Sequence, residues 1–133
     1  MRNAQAIVPA NRAETAAAFR YSPAVKAGPF LFISGIVGRG ADGAIPASFE
    51  DELRNVFEEM GETLAEAGGS FADIVAFDTF HVTQDFGPDL KAFIDARLRY
   101  MPDGDPAWTA IGIERLGLPD ARIEVRVTAY LKA

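Results

Sequence analysis

The sequence contains no cysteine and a single histidine, His81. The absence of cysteine excludes disulfides, thiolate metal ligands and a cysteine nucleophile. With one histidine, a histidine metal cluster or a Ser-His-Asp triad would need a second chain. A lone histidine in a strand is more often structural than catalytic, so we expect His81 to support the core. We expect neither a metal nor a cofactor.

Basic side chains and long apolar runs are also scarce. The formal net charge is -6, which argues against binding to nucleic acid, because that affinity normally rests on a basic surface. No stretch is long and apolar enough to span a bilayer, and the first residues lack the basic-then-apolar order of a signal peptide. We therefore expect a cytoplasmic protein that binds neither nucleic acid nor membrane.

The length of 133 residues and the hydrophobic share of 49% fit one domain with its own core. Residues 1–18 are rich in alanine and show no strong periodicity. They are predicted to be a loosely structured lead-in to a domain that spans residues 19–133.

Apolar and polar side chains alternate in several segments that are predicted to be strands. Residues 123–131 have a period of two, residues 108–114 alternate as well, and Gly117 and Pro119 break the chain between them. Residues 30–33 are apolar throughout, as in a strand buried on both faces. Two more β-rich runs are predicted at residues 19–28 and 73–83.

Two helices are predicted between these strands. Ser48 is the predicted N-cap of the first, which ends at Gly68-Gly69, and the second runs from Gly87-Pro88 to Pro102. The acidic run between residues 50 and 73 is interpreted as a solvated helix face. The resulting order, β-β-α-β-α-β-β, predicts an α+β domain with two helices on one face of a mixed sheet. The second face of the sheet still carries aliphatic side chains, so it is expected to be buried by oligomerisation.

Several short motifs follow one another in a characteristic order. They are Tyr-Ser-Pro-Ala-Val-Lys-Ala-Gly at residues 21–28, Phe-Ile-Ser-Gly at 32–35, Ala-Gly-Gly-Ser at 67–70, Pro-Ala at 106–107, Leu-Pro at 118–119 and Ile-Glu at 123–124. Together they resemble the YjgF/Rid family of reactive-intermediate deaminases, also labelled endoribonuclease L-PSP or translation initiation inhibitor. The resemblance implies a chorismate-mutase-like fold in which three subunits pack their sheets into a central barrel. It also implies small ligands in clefts between subunits.

The resemblance implies hydrolysis of enamine and imine intermediates derived from amino acids, with release of ammonia and a 2-keto acid. In active members an arginine binds the substrate carboxylate through two parallel hydrogen bonds, and a glutamate holds or activates the attacking water. Glu124 occupies the glutamate position; the alternative is an exposed carboxylate paired with Arg122 or Arg126. Ligand contacts are expected from Tyr21, Ser34, Gly35, Thr109, Ala110 and, as a displaced anion contact, Arg126.

Trp108 stands where active members of the family carry the arginine. An indole offers one N–H donor and no positive charge, so the chain is interpreted as a divergent member whose activity on standard small 2-imino acids is in doubt. Ile36 replaces the usual glutamine, and the asparagine expected early in the second helix is missing. The pocket is therefore predicted to be more apolar than usual. Trp108 is either an aromatic wall of that pocket or a packing residue of the core.

Two functions stay open on the sequence alone. The first is small-metabolite binding at intersubunit clefts of a homotrimer, with hydrolytic deamination of an enamine-type or imine-type intermediate other than the standard 2-imino acids. The alternative is a non-catalytic ligand-binding or interaction protein that retains the fold. RNA cleavage, which the endoribonuclease label suggests, is disfavoured by the acidic balance and the absence of a second histidine.

Overall fold

A computed structural model describes residues 1–132. Within them, six strands form one sheet in the order β1-β2-β3-β6-β4-β5, in which only the β4-β5 pair is parallel. None of the helices in this part of the chain is long and apolar enough to cross a membrane. The strands are β1 (Gln5–Ile7), β2 (Ala24–Ala27), β3 (Phe30–Val37), β4 (Ile74–His81), β5 (Ala107–Gly112) and β6 (Ile123–Tyr130), and the helices are α1 (Ala13–Phe19), α2 (Phe49–Glu66) and α3 (Phe86–Tyr100).

The predicted α+β class and the two long helices are confirmed. The Ser48 hydroxyl accepts a hydrogen bond from the backbone N–H of Asp51 at 2.9 Å, which caps α2 as the sequence predicts. After Glu66 the chain turns through Gly68, whose φ of 82° suits a residue without a side chain. α3 ends at Tyr100, with Met101 as its C-cap, and Pro102 comes next, close to the predicted end of the helix.

Residues 1–18 are not the loosely structured lead-in that the sequence predicts. They contain β1, which pairs antiparallel with β2, and the third helix, α1. Ile7 and Ala16 are buried. A three-residue strand and a seven-residue helix are too short for a periodic pattern, which explains why sequence analysis misses them. The division of the chain at residue 18 stays a prediction.

The core lies between one face of the sheet and the helices α2 and α3. Phe57 of α2 stacks near Phe93 of α3, with 5.7 Å between ring centroids, and both rings pack against Phe77 of β4. On β6 the apolar side chains at alternate positions all point into this core. The period of two at residues 123–131 is therefore explained by one buried and one more accessible face.

The other face of the sheet carries an aromatic patch formed by Phe30, Phe32 and Tyr130. These side chains are between 41% and 50% exposed in the single chain. Phe30 lies 5.3 Å from Tyr130 and 6.3 Å from Phe32 between ring centroids. Residues 30–33 are thus not buried on both faces within one chain, because only Leu31 and Ile33 face the helices. The second face is therefore aromatic at this position, where the sequence predicts aliphatic side chains.

A buried ion pair joins α2 to the segment that leads into β6. Glu52 is fully buried, and its Oε1 accepts a hydrogen bond from Nε of Arg122 at 2.6 Å. Its Oε2 accepts the backbone N–H of Arg122 at 2.7 Å. Arg122 also donates to the carbonyl oxygens of Pro46 and Ala47. The prediction that the acidic run of α2 is a solvated face is therefore wrong at Glu52, which is buried and accepts hydrogen bonds from Arg122, the residue before β6.

Replacing Glu52 by alanine is expected to lower the free energy of unfolding by about 3 kcal/mol, because the guanidinium and backbone N–H of Arg122 lose their acceptor. Urea unfolding would measure this loss. Glu66→Ala, an exposed carboxylate on the same helix, serves as the matched control and should change stability by less than about 0.5 kcal/mol. Equal effects of the two variants would show that the ion pair does not hold α2 in place.

Candidate functional site

A cleft of about 380 Å³ opens where β3 and β6 meet α1 and α2. Tyr21, Gly35 and Glu124, three of the residues predicted to contact a ligand, come together in it although they belong to distant parts of the chain. The complete lining consists of Arg12, Thr15, Phe19, Tyr21, Gly35, Val37, Arg39, Glu59, Gly117, Leu118 and Glu124.

Glu124 provides a partly buried carboxyl group in this cleft. It lies on β6 between Val37 of β3 and Phe80 of β4. Burial raises the pKa of the Glu124 carboxyl above its ordinary value, because the ionised form loses part of its hydration. A carboxyl group of this kind holds a proton more readily than a surface glutamate and is a stronger base once ionised.

Gly35 provides the space for the Glu124 side chain. β3 bulges between Ile33 and Ile36, and Gly35 lies in the bulge. A Cβ atom at Gly35 would lie 2.5 Å from Oε2 of Glu124 and 2.6 Å from its carboxyl carbon. Any other residue there would therefore push the carboxyl group away, which gives a physical reason for the glycine of the Ser-Gly pair.

The pairing of Glu124 with Arg122 or Arg126, the alternative from the sequence, is wrong. Arg122 is bound to Glu52, and Arg126 donates to Oδ2 of Asp78 at 3.1 and 3.2 Å. Among the ion pairs within residues 1–132, none includes Glu124. Arg126 lies outside the cleft of its own chain.

Ser34 and Tyr21 are connected through the loop after α1. Arg20 ends α1 in the left-handed conformation, with φ of 54°, and the backbone N–H of Tyr21 donates back to Ala16 at 3.1 Å. The Ser34 hydroxyl donates to the carbonyl of Ser22 at 2.7 Å. Ser34 is thus not part of the lining. It ties the loop that carries Tyr21 to β3, so that Tyr21 stays at the cleft.

Two arginines and a second carboxyl group complete the polar lining. Arg12 forms an ion pair with Glu59 of α2, and Arg39 lies in the same cleft. Burial raises the pKa of Glu59 to about 7, although Arg12 and Arg39 act in the opposite direction and only Glu62 adds to the rise. Near neutral pH, Glu59 is therefore partly protonated and balances the charge of Arg12 incompletely.

The sequence patterns do not single out Arg12, Arg39 or Glu59. Arg12 belongs to the segment that is predicted to be loosely structured, and Glu59 belongs to the acidic run that is interpreted as a solvated helix face. The helix spacing offers one signal for Glu59. Glu52 and Glu59 are seven residues apart and flank the buried Val56, so both border the apolar face of α2.

Trp108, Thr109 and Ala110 lie on β5, the edge strand, and β4 separates them from β6. Trp108 pairs with Phe77 and faces α3, where its ring lies 5.3 Å from that of Phe93. Glu124 pairs with Phe80, which has the opposite parity on β4. Within one chain the three β5 residues therefore do not line the cleft, and the position of Trp108 agrees with a packing role.

His81 belongs to a hydrogen-bonded network in the core. Its Nδ1 lies 2.5 Å from Oδ2 of Asp89, and its Nε2 lies 2.7 Å from Oγ1 of Thr79. The same hydroxyl oxygen accepts a hydrogen bond from Nε1 of Trp108 at 2.9 Å. His81 and Thr79 are fully buried, so the network joins β4, β5 and α3 without reaching the cleft. This agrees with the structural role expected of His81.

Comparison with known proteins gives consistent results. The family model described as Endoribonuclease L-PSP matches residues 11–131. The RutC family protein YjgH of Escherichia coli (strain K12) is 34% identical over 120 residues, which are 90% of this chain and 91% of that protein. A solved structure of protein YJGH superposes with a TM-score of 0.84 at 31% identity and covers 98% of both chains. Reactive Intermediate Deaminase A, chloroplastic, of Arabidopsis thaliana is 30% identical over 113 residues, 84% of this chain and 58% of that protein.

The pKa of Glu59 predicts how stability depends on pH. The folded protein holds the proton of the Glu59 carboxyl group more tightly than the unfolded chain does. Glu59 therefore contributes stability that is complete below about pH 4.5 and is lost as the pH rises through about 7. Between about pH 5 and about pH 8, the free energy of unfolding measured with urea should fall less in Glu59→Gln than in the wild type.

The matched control for this measurement is Glu66→Gln, an exposed carboxylate on the same helix, which should keep the pH dependence of the wild type. Equal pH dependence in Glu59→Gln and the wild type would contradict the elevated pKa of Glu59.

Proposed function

Because the chain belongs to the endoribonuclease L-PSP family, also called YjgF/Rid, we propose that it hydrolyses an enamine-type or imine-type intermediate in the Glu124 cleft. The observation that carries the proposal is the partly buried carboxyl group of Glu124, which faces the space left by Gly35. The Arabidopsis relative is named a reactive intermediate deaminase, which supports the reaction class.

In the proposed reaction the substrate reacts as the protonated imine, and an enamine reaches that state by taking up a proton on carbon. Ionised Glu124 accepts a proton from a water molecule while the water oxygen attacks the iminium carbon, which gives a neutral carbinolamine. The Glu124 carboxyl group then returns the proton to the nitrogen. The C–N bond breaks, ammonia leaves, and the Glu124 carboxylate accepts the hydroxyl proton as the carbonyl compound forms. A raised pKa favours Glu124 in this role, because a carboxylate with an ordinary pKa is a weak base at neutral pH.

The lining supports a substrate with an apolar portion, in contrast to the standard small 2-imino acids. Phe19, Val37 and Leu118 provide an apolar wall, and Phe19 is 76% exposed in the single chain. An exposed aromatic ring at the edge of a cleft is available to cover an apolar group of a ligand. Tyr21 adds a hydroxyl group that can hydrogen-bond to the polar end.

We also propose that three copies of the chain bury the aromatic patch of Phe30, Phe32 and Tyr130, as the family resemblance implies. The Phe30 ring lies beside the rings of Phe32 and Tyr130, and all three side chains remain between 41% and 50% exposed. Burial of apolar surface is the main driving force of association. In such an assembly, residues of β5 from one subunit could approach the cleft of another, which would give Thr109 and Ala110 their expected ligand contacts.

The second candidate function is ligand binding without catalysis. Trp108, which replaces the expected arginine, donates its only N–H to Thr79 and packs on Phe93. It therefore has no remaining polar group for a substrate. In this alternative, a chain without the arginine that binds the substrate carboxylate still binds a metabolite in the cleft but does not accelerate imine hydrolysis.

Replacing Glu124 by glutamine is expected to reduce the rate of imine hydrolysis on the order of a hundredfold or more, because the base is lost. An amino-acid oxidase supplies 2-imino acids from small, aliphatic and aromatic amino acids. Semicarbazide traps the imine that has not been hydrolysed, so less trapped imine means faster hydrolysis. In the wild type the rate should rise with pH through a pKa above the ordinary 4.5 of a glutamate. Glu66→Gln is the matched control and should retain the full rate.

If the wild type accelerates hydrolysis of no member of the panel, the hydrolase proposal is wrong. Stabilisation against heat by 2-keto acids would then favour the non-catalytic alternative, since a ligand that binds only the folded state raises the melting temperature.

A charge in the aromatic patch should prevent assembly. Light scattering coupled to size exclusion is expected to give three times the monomer mass for the wild type and the monomer mass for Phe32→Glu, because burying an unpaired carboxylate costs several kcal/mol. Leu98→Glu, at a comparably exposed apolar position on α3, should remain trimeric. A monomeric wild type would contradict the proposed assembly.

A further inference from the structure

We infer that Glu59 is a second catalytic residue of the Glu124 cleft and donates a proton to the carbon atom of an enamine substrate. The inference rests on the proposed function for the reaction class, and it supplies the proton donor that this reaction needs when it starts from an enamine. Glu59 and Glu124 are both part of the lining of the cleft. A substrate there meets one carboxyl group from α2 and another from β6.

The position of Glu59 on α2 brings its side chain to the cleft. Its helix neighbours Val56 and Met60 are fully buried, so Glu59 lies at the border of the packed face. Its side chain is 17% exposed. The charge of Glu124 does not contribute to the pKa of Glu59, nor the reverse. The two carboxyl groups are therefore far enough apart for a small molecule to lie between them.

Arg12 holds one oxygen atom of the Glu59 carboxyl group and leaves the other free. Oε1 accepts a hydrogen bond from Nη2 of Arg12, and Oε2 accepts none within residues 1–132. Among the buried side-chain nitrogen and oxygen atoms of these residues, only Nε of Arg12 lacks a partner, so Oε2 of Glu59 is not sealed in the core. The ion pair thus orients the carboxyl group and keeps one oxygen available to carry a proton.

The groups around Glu59 suit it to the role of an acid. Burial raises its pKa to about 7, Arg12 and Arg39 lower it, and Glu62 raises it. Part of the protein therefore carries the proton near neutral pH, and an acid of this strength can give it up at that pH. When Glu59 does so, the resulting carboxylate lies beside the guanidinium of Arg12, which stabilises the charge.

Glu124 cannot take this role as well. It must be ionised to accept a proton from water, whereas a donor to carbon must be protonated at the start of the reaction. Two carboxyl groups in different surroundings can divide the two tasks between them. Glu59 has an arginine beside it to stabilise its ionised form, and Glu124 belongs to no ion pair within residues 1–132.

The proposed sequence of steps is balanced without a further reactant. The O–H bond of the Glu59 carboxyl group breaks, and the proton forms a C–H bond at the enamine carbon that does not carry the nitrogen. This leaves an iminium group and the Glu59 carboxylate. Water then attacks with Glu124 as the base, and Glu124 holds the hydroxyl proton once ammonia has left and the carbonyl compound has formed. Transfer of that proton to Glu59 through solvent returns both groups to their starting states.

The test compares two tautomers of one compound in deuterium oxide. A dehydratase acting on threonine supplies the enamine, and an amino-acid oxidase acting on 2-aminobutyrate supplies the imine. Donation from Glu59 would place deuterium on one face of the enamine, because the carboxyl group lies on one wall of the cleft. Immediate reduction of the 2-keto acid with lactate dehydrogenase preserves the labelled carbon for NMR. The wild type should give one configuration in excess, and Glu59→Gln should give the equal mixture that forms without the protein.

Reaction rates give a second readout. Glu59→Gln keeps an acceptor for Arg12 but should lower the enamine rate, relative to the imine rate, on the order of tenfold or more. In the wild type the enamine rate should fall as the pH rises through about 7, because Glu59 loses its proton, and Glu59→Gln should not show this fall. Glu62→Gln, an exposed carboxylate on the same helix that binds Asn11, is the matched control and should keep the ratio of the wild type.

Glu59→Asp separates an acid from a structural anchor. It retains a carboxyl group, so it should restore part of the excess of one configuration, and it decides the matter together with the wild type if Glu59→Gln does not fold. An equal mixture from the wild type overturns the inference, and so does an excess that persists in Glu59→Gln.

The proposed hydrolase is judged separately, because it is measured with imines and depends on Glu124. Imine hydrolysis with an equal mixture of labelled products would support the hydrolase and reject the role of Glu59. One configuration in excess from a protein that does not accelerate imine hydrolysis would do the reverse.

Discussion

The buried ion pair between Glu52 and Arg122 determines how the helix layer meets the strand that carries the site. Both oxygens of Glu52 accept hydrogen bonds from Arg122, one from the side chain and one from the backbone, at 2.6 and 2.7 Å. The backbone bond matters most, because it fixes the chain two residues before Glu124. Gly38, the residue after β3, allows the chain to pass close to α2 at Glu52, since a Cβ at Gly38 would overlap the backbone of Glu52. The positions of α2, β3 and β6 around the cleft therefore depend on one carboxylate.

The two glutamates that border the apolar face of α2 have different surroundings, and this gives them different properties. Glu52 is bound by two donors of Arg122, so its burial is compensated. Glu59 has only Arg12 as an ion-pair partner, and burial raises its pKa to about 7. The same helix thus contributes one carboxylate that joins α2 to the segment before β6 and one whose protonation changes near neutral pH. Their common spacing would not have distinguished the two, because the difference comes from residues far away in the sequence.

The sequence predicts the elements that are long enough to show a period, and it fails where contacts are made by short or distant segments. The alternation at residues 123–131 and the helical spacing after Ser48 correspond to β6 and α2. The motifs that resemble the YjgF/Rid family also predict Tyr21, Gly35 and Glu124 as site residues, and these three residues line one cleft. By contrast, β1 and α1 are too short for a periodic signal, and the contact between Arg12 and Glu59 joins a short turn to a helix much later in the chain. The face on which Trp108 lies could not be predicted either, because both faces of an edge strand offer apolar neighbours.

Trp108 stands where the family resemblance predicts an arginine, so any positive charge near Glu124 within one chain comes from other residues. Within one chain Trp108 is engaged by Thr79 and Phe93 on the helix side of the sheet, so its effect on the cleft is the absence of a guanidinium and not the presence of an indole. Arg12 and Arg39 provide guanidinium groups from other elements of the same chain. The attraction between a carboxylate and a guanidinium group depends on their distance and hydrogen-bond geometry, and not on which segment of the chain carries the arginine. Although β5 carries no arginine at this position, other segments of the same chain thus place two guanidinium groups at the Glu124 cleft.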